Sequence, residues 1–142
     1  MKEKMPKKPN LERRQNIINK DFRELTRAEE EIMNIIWSSG GGFVCEIIAQ
    51  MSMPKPAYTT VSTVCRTLVS KGFLSYKVLS PSHWYYPAIH KEEYTDRMLG
   101  NVMQNYFDNS FAQLVSFFSE KKKVSEKERE EIIALLKQSA EN

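Results

Sequence analysis

Ala57-Tyr58-Thr59-Thr60-Val61-Ser62-Thr63-Val64-Cys65-Arg66-Thr67-Leu68-Val69-Ser70-Lys71-Gly72 decides how the chain reads. Its apolar residues stand at 61, 64, 65, 68 and 69, the spacing of one helix face. The opposite face carries Thr59, Thr60, Ser62, Thr63, Arg66 and Ser70. A merely solvated face is usually richer in Glu and Lys, which favour helix where Thr does not. Short hydroxyls let a backbone approach a surface and hydrogen-bond to phosphates and base edges. Arg66 is spaced to reach a guanine edge or a phosphate. Gly72 is placed to end the helix as a left-handed cap.

Two shorter helices are expected before this one. Thr26-Arg27-Ala28-Glu29 has capping-box spacing, so helix one starts there, buries Ala28, Ile32, Met33, Ile35 and Ile36, and ends at Trp37. Ser38 to Gly42 forms a break; with no Gly-Lys-Ser/Thr after it and no strand before it, it is not a nucleotide loop. Helix two is expected from Val44 to Met51, and the connector Met53-Pro54-Lys55-Pro56 ends it. After Gly72 the pattern turns strand-like over Leu74–Leu79 and Trp84–Ile89, with Ser80-Pro81-Ser82-His83 as the turn. Helix-turn-helix followed by hairpin is a winged helix. Lys77 on the wing and His83 near its tip are candidate phosphate contacts.

Charge is placed unevenly along the 142 residues. Residues 1–22 carry +4 and contain Pro6 and Pro9, as a flexible basic arm would; residues 23–90 carry +1 and residues 91–142 carry −2. From Gly42 to His90, Lys55, Arg66, Lys71 and Lys77 face Glu46 alone, a modest basic patch suited to an anionic partner. No apolar run nears the roughly 18 residues that span a membrane, and no apolar segment follows the basic N-terminus, so no membrane insertion is expected and a cytoplasmic location is the default. Cys45 and Cys65 are expected to be buried free thiols. Two lone histidines, His83 and His90, make no metal site, and no catalytic set stands out; neither enzyme activity nor a cofactor or metal is expected.

Lys91 to Glu120 reads as one long helical pattern, apolar over more than one stripe. A second capping-box spacing at Ser125-Glu126-Lys127-Glu128 opens a last helix. A small winged domain offers too little surface to cover these helices, whereas a second copy of the chain would. The candidate dimer residues are Leu99, Met103, Tyr106, Phe107, Phe111, Leu114, Phe118, Ile132 and Leu136. The fold class is thus mainly α with a small β wing: arm 1–22, winged helix 23–90, helical dimerisation region 91–142.

From Leu25 to about Gln138 the chain resembles the penicillinase repressor family of bacterial regulators. The resemblance lies in Leu25-Thr26-x-Ala28-Glu29-x-x-Ile32-Met33-x-x-Ile36-Trp37, in Tyr58-Thr59-Thr60-Val61-x-Thr63-Val64-x-Arg66-x-Leu68-x-x-Lys71-Gly72-Phe73-Leu74, and in Tyr85-Tyr86-Pro87. It implies a winged helix with a helical dimerisation arm, binding a double-stranded DNA operator as a homodimer and repressing transcription. Carried over, the recognition positions are Tyr58, Thr59, Thr60, Ser62, Thr63 and Arg66. It also implies inactivation by a membrane sensor protease cutting between Asn and Phe; the matching bond joins Phe117 and Phe118. Two departures stand out: Ala57 replaces a capping residue, and the basic arm is longer than the pattern requires. A winged helix that binds protein is the competing class, but such a face would expose more apolar and aromatic groups than Tyr58 alone. Copper-responsive repressors are a third; they carry a cysteine-rich C-terminus, and here nothing after Lys121 is Cys or His.

Overall fold

The computed structural model describes residues 23–121 and 124–141, so the basic arm lies outside the described residues. Helix α1 spans Arg27–Ser39 and opens on the expected capping box. The Glu29 backbone N–H donates to Thr26 Oγ1 at 3.2 Å, and the Thr26 N–H donates to Glu29 Oε1 at 2.9 Å. The helix buries Ile32, Met33 and Ile36. Ala28, expected in this stripe, is exposed, and Glu29 takes the buried place. A carboxylate is tolerated there because each oxygen has a donor: the Thr26 N–H on one, and Lys71 Nζ at 2.8 Å on the other.

Helix α2, Val44–Ala49, stops two residues before the expected Met51. Lys55 Nζ donates to the carbonyls of Ile48 and Ala49, each at 2.9 Å, and of Met51 at 3.2 Å. The Ile48 carbonyl also takes the Met51 N–H at 3.0 Å; the ammonium bridges it to the Ala49 and Met51 carbonyls and so closes the helix end from the connector. Met51 still packs in the core. Cys45 is exposed, contrary to expectation, because the buried side of so short a helix is set by Val44 and Ile47.

Helix α3, Tyr58–Ser70, buries Val61, Cys65 and Leu68. It ends in a Schellman motif: Gly72 has φ +85°, its N–H donates to Val69 O at 3.1 Å, and the Phe73 N–H donates to Leu68 O at 2.9 Å. Strands β1, Leu74–Leu79, and β2, Ser82–Pro87, pair antiparallel with Tyr76 opposite Tyr85 and Lys77 opposite Trp84. The second strand starts two residues earlier than expected, so His83 lies in it rather than in the turn; only Ser80-Pro81 connects the strands. Past Pro87, which has no N–H to give, the Ala88 N–H turns back to Phe73 O at 2.9 Å. Tyr85 also exchanges both backbone bonds with Gly42, each 2.9 Å, so the α1–α2 loop continues the sheet. Gly41 has φ +150°, and a Cβ there would collide with the Trp84 ring.

Helix α4 spans Lys91–Phe107. Its Tyr94 is buried against Trp37 and Phe73, with ring centroids 5.8 and 5.7 Å away, and its hydroxyl accepts the Leu25 N–H at 3.0 Å. The chain divides into two compact units between Met98 and Leu99, within α4.

The expected single helix from Lys91 to Glu120 is two. Asp108 and Asn109 have φ +50° and +59°, a left-handed pair that no α-helix contains. Ser110 then caps α5, Phe111–Glu120, by accepting the Gln113 N–H at 3.2 Å. Helix α6, Glu126–Glu141, follows, with the Glu128 N–H donating to Ser125 Oγ at 3.2 Å. No helix of the described residues is long and apolar enough to cross a membrane.

Candidate nucleic-acid interface

Helix α3 has no acidic residue, and its outer side chains are free of the core. Tyr58, Thr59, Thr60, Thr63 and Arg66 are exposed and Ser62 is half-buried. Thr63 Oγ1 donates to Thr59 O at 2.8 Å, and Thr67 Oγ1 to Thr63 O at 3.1 Å. Both hydroxyls spend their proton on the helix and keep lone pairs for an outside donor. Ala57 makes no side-chain cap. The first-turn N–H groups therefore lack a side-chain acceptor, and the positive end of the helix is left open.

The wing brings His83 to this face. Its ring stacks on Tyr76, centroids 4.8 Å apart at 18°. With Tyr58, Ser62, Pro81 and Tyr85 it lines a polar cleft of about 150 Å³ between the start of α3 and the hairpin. Burial pushes the Tyr85 hydroxyl pKa up, so it stays protonated at the floor of that cleft. Lys77 stands on the other side of the ribbon, since neighbouring strand positions alternate. Its ammonium sits 6.0 Å from the Trp84 ring and 5.7 Å from the Tyr86 ring.

Two of the four cations expected in the basic patch are occupied within the domain. Lys55 holds the end of α2, and Lys71 is ion-paired with Glu29 at 2.8 Å. Arg66 and Lys77 remain exposed. Sequence reading missed both internal roles, as well as the Tyr76 shelf beneath His83. The signal for Lys55 was its position between two prolines just beyond a helix end; Lys71 gave none.

Of the candidate dimer residues, Leu99, Tyr106, Phe111, Phe118 and Leu136 are exposed in the single chain, while Met103, Phe107, Leu114 and Ile132 are partly covered. Helices α5 and α6 enclose an open apolar cleft of about 350 Å³ lined by Phe111, Leu114, Phe118, Ile132 and Leu136 among others. Phe117 and Phe118 lie in the last turn of α5, both more than a third exposed.

Residues 25–138 match the family model described as penicillinase repressor. The chain belongs to the penicillinase repressor family. This family is one of DNA-binding transcriptional repressors, not of enzymes. The methicillin resistance regulatory protein MecI of Staphylococcus aureus is 30% identical over 119 residues, covering 83% of this chain and 96% of that one. The penicillinase repressor of Bacillus licheniformis is 22% identical over 120 residues, with 84% and 94% covered. Among solved structures, the regulator BpsR of Bordetella bronchiseptica aligns at a TM-score of 0.46, with 15% identity and 91% of each chain covered. The family match begins at Leu25, so the basic arm lies wholly before it.

Proposed function

We propose that this family member represses transcription as a homodimer on a pseudo-palindromic operator, reading the major groove with Tyr58, Thr59, Thr60, Ser62, Thr63 and Arg66. The supporting observation is the outer face of α3: hydroxyls and one arginine, no carboxylate, an uncapped positive end. His83 contacts phosphate beside that face, and Lys77 contacts phosphate from the other side of the wing. Lys71 drops out of the phosphate contacts, because Glu29 holds it. The second copy covers the apolar cleft of α5 and α6 and the exposed Leu99 and Tyr106. A footprint of the purified protein on DNA flanking its own gene tests this. Two protected half-sites an integral number of turns apart are expected; protection indifferent to sequence contradicts it.

Control is exerted at the dimer, in the cytoplasm. A monomer binds one half-site only, so any event that parts the two copies lowers operator affinity steeply. A sensor protease cutting between Phe117 and Phe118 would be one such event, but Phe117 stands where the family's cleaved bond has Asn. We therefore favour release without cleavage. Immunoblots should find the full-length chain throughout induction; a fragment that appears on β-lactam treatment and disappears in a Phe118→Glu variant overturns that preference.

A further inference from the structure

The tip of the β1–β2 hairpin, between the hydroxyls of Ser80 and Ser82, exposes a large aliphatic side chain on each side. Val78 is 65% exposed and Leu79 50%, and Pro81 in the turn is exposed as well. Val78 stands opposite His83 and Leu79 opposite Ser82, so the two aliphatic side chains leave opposite faces of the ribbon. Hairpin turns in water are usually built from Gly, Asn and Asp, and free strand edges are blunted with charge. From Val78 to Pro87 this chain has neither a carboxylate nor a Lys or Arg.

A flat protein surface would cover one side of such a tip and leave the other in water. A groove with two walls covers both. The minor groove of B-DNA is about 6 Å wide and about 7.5 Å deep. Its phosphates would repel a carboxylate, and the tip has none. The tip is also continuous with the reading face, because Pro81 and His83 share a cleft with Tyr58 and Ser62 of α3.

We infer that Val78, Leu79 and Pro81 form an apolar wedge that enters the minor groove beside the α3 contact and selects A·T over G·C pairs there. This inference rests on the operator reading above. Guanine projects its N2 amino group into the minor groove, and A·T pairs present only acceptors along its floor. An aliphatic side chain leaves that amino donor desolvated and unpaired, which disfavours G·C. The wedge neutralises no phosphate, so its share of the affinity is independent of salt. Apolar side chains are used in this way by proteins that wedge into minor-groove steps.

The test uses the full-length protein and a duplex that the wild type enriches from a random-sequence pool. The pair under the wing is set to A·T, G·C or inosine·C. Inosine·C keeps the major-groove pattern of G·C but lacks the amino group in the minor groove. A·T and inosine·C should bind alike, each about tenfold tighter than G·C. Val78→Ser with Leu79→Ser, both at exposed positions, should bind the A·T duplex about tenfold more weakly, lose the preference and keep the wild-type salt slope. Inosine·C behaving like G·C overturns the wedge, as does a double variant that binds like wild type. A double variant whose free form sediments at a lower mass also overturns it, by assigning the tip to a contact between copies. A wild type that enriches no sequence overturns the operator reading, and the wedge with it; an enriched operator with inosine·C equal to G·C removes the wedge alone.

Discussion

Lys71 Nζ lies 2.8 Å from Glu29 Oε2, tying the residue that closes α3 to the first turn of α1. Burial by itself would raise the Glu29 pKa, but hydrogen bonds from Lys71 and Thr26 outweigh it and hold the carboxyl below its usual range. The pair therefore stabilises the end of the reading helix from inside the domain.

Lys71→Met should cost about 1–3 kcal/mol of folding stability, because it leaves the Glu29 carboxylate buried without its cation. The pH dependence follows from the lowered pKa. The contribution of Glu29 is complete above about pH 5 and is lost as pH falls through the folded pKa. Urea unfolding at neutral and acidic pH checks both, and Glu29→Gln should flatten that acid limb. An equally steep limb in Glu29→Gln would assign it to other carboxylates.

The same pair separates internal cations from DNA-facing ones. Arg66→Ala should weaken operator binding by about 1–3 kcal/mol and relax selectivity at one position. Lys77→Ala should weaken binding to all duplexes and lower the salt slope by about one. Lys71→Met should leave that slope unchanged. Titrations at several salt concentrations read all three; a slope reduced by one in Lys71→Met would mean that it meets phosphate after all.

The two cysteines should differ sharply in reactivity. Cys65 is fully buried in α3, and burial pushes its thiol pKa up to about 11, whereas Cys45 is exposed. A thiol reagent at neutral pH should modify one group per native chain quickly and the second only on unfolding. Two equally fast thiols would require α3 to open.

Gly41→Ala should destabilise the domain by about 1–3 kcal/mol, since a Cβ at φ +150° meets the Trp84 ring. Trp84 fluorescence should report its displacement, and thermal unfolding the cost.

Leu114→Asp should yield monomers with poor operator affinity, because it sets a charge in the apolar cleft of α5 and α6. Sedimentation decides this, and a wild type that is itself monomeric at micromolar concentration would remove the dimer.

Much of the fold was legible because local chemistry and global structure agree. Thr26 and Glu29 stood at capping-box spacing, Gly72 fell just beyond the end of the α3 stripe, and each does what that placement requires. The outer face of α3 was legible for the same reason: removing the core stripe leaves the hydroxyls. The break between α4 and α5 was hidden because apolar spacing runs on across Asp108-Asn109-Ser110, although those three are turn formers and Asn tolerates a positive φ. Buried Glu29 and the ion pair behind it were not legible, since no local pattern joins residues 42 apart in sequence.

The turn at Asp108-Asn109 bears on what a truncated chain would still be. The core of the first unit, Tyr94 included, is complete before that turn, so a fragment ending there keeps its reading helix and wing. Losing α5 and α6 should therefore leave the domain folded and, on the dimer reading proposed above, remove its valency. On that reading such a fragment should compete only weakly for half-sites, with an effect that grows with its dose: negligible at low copy number, crowding the operator when overproduced.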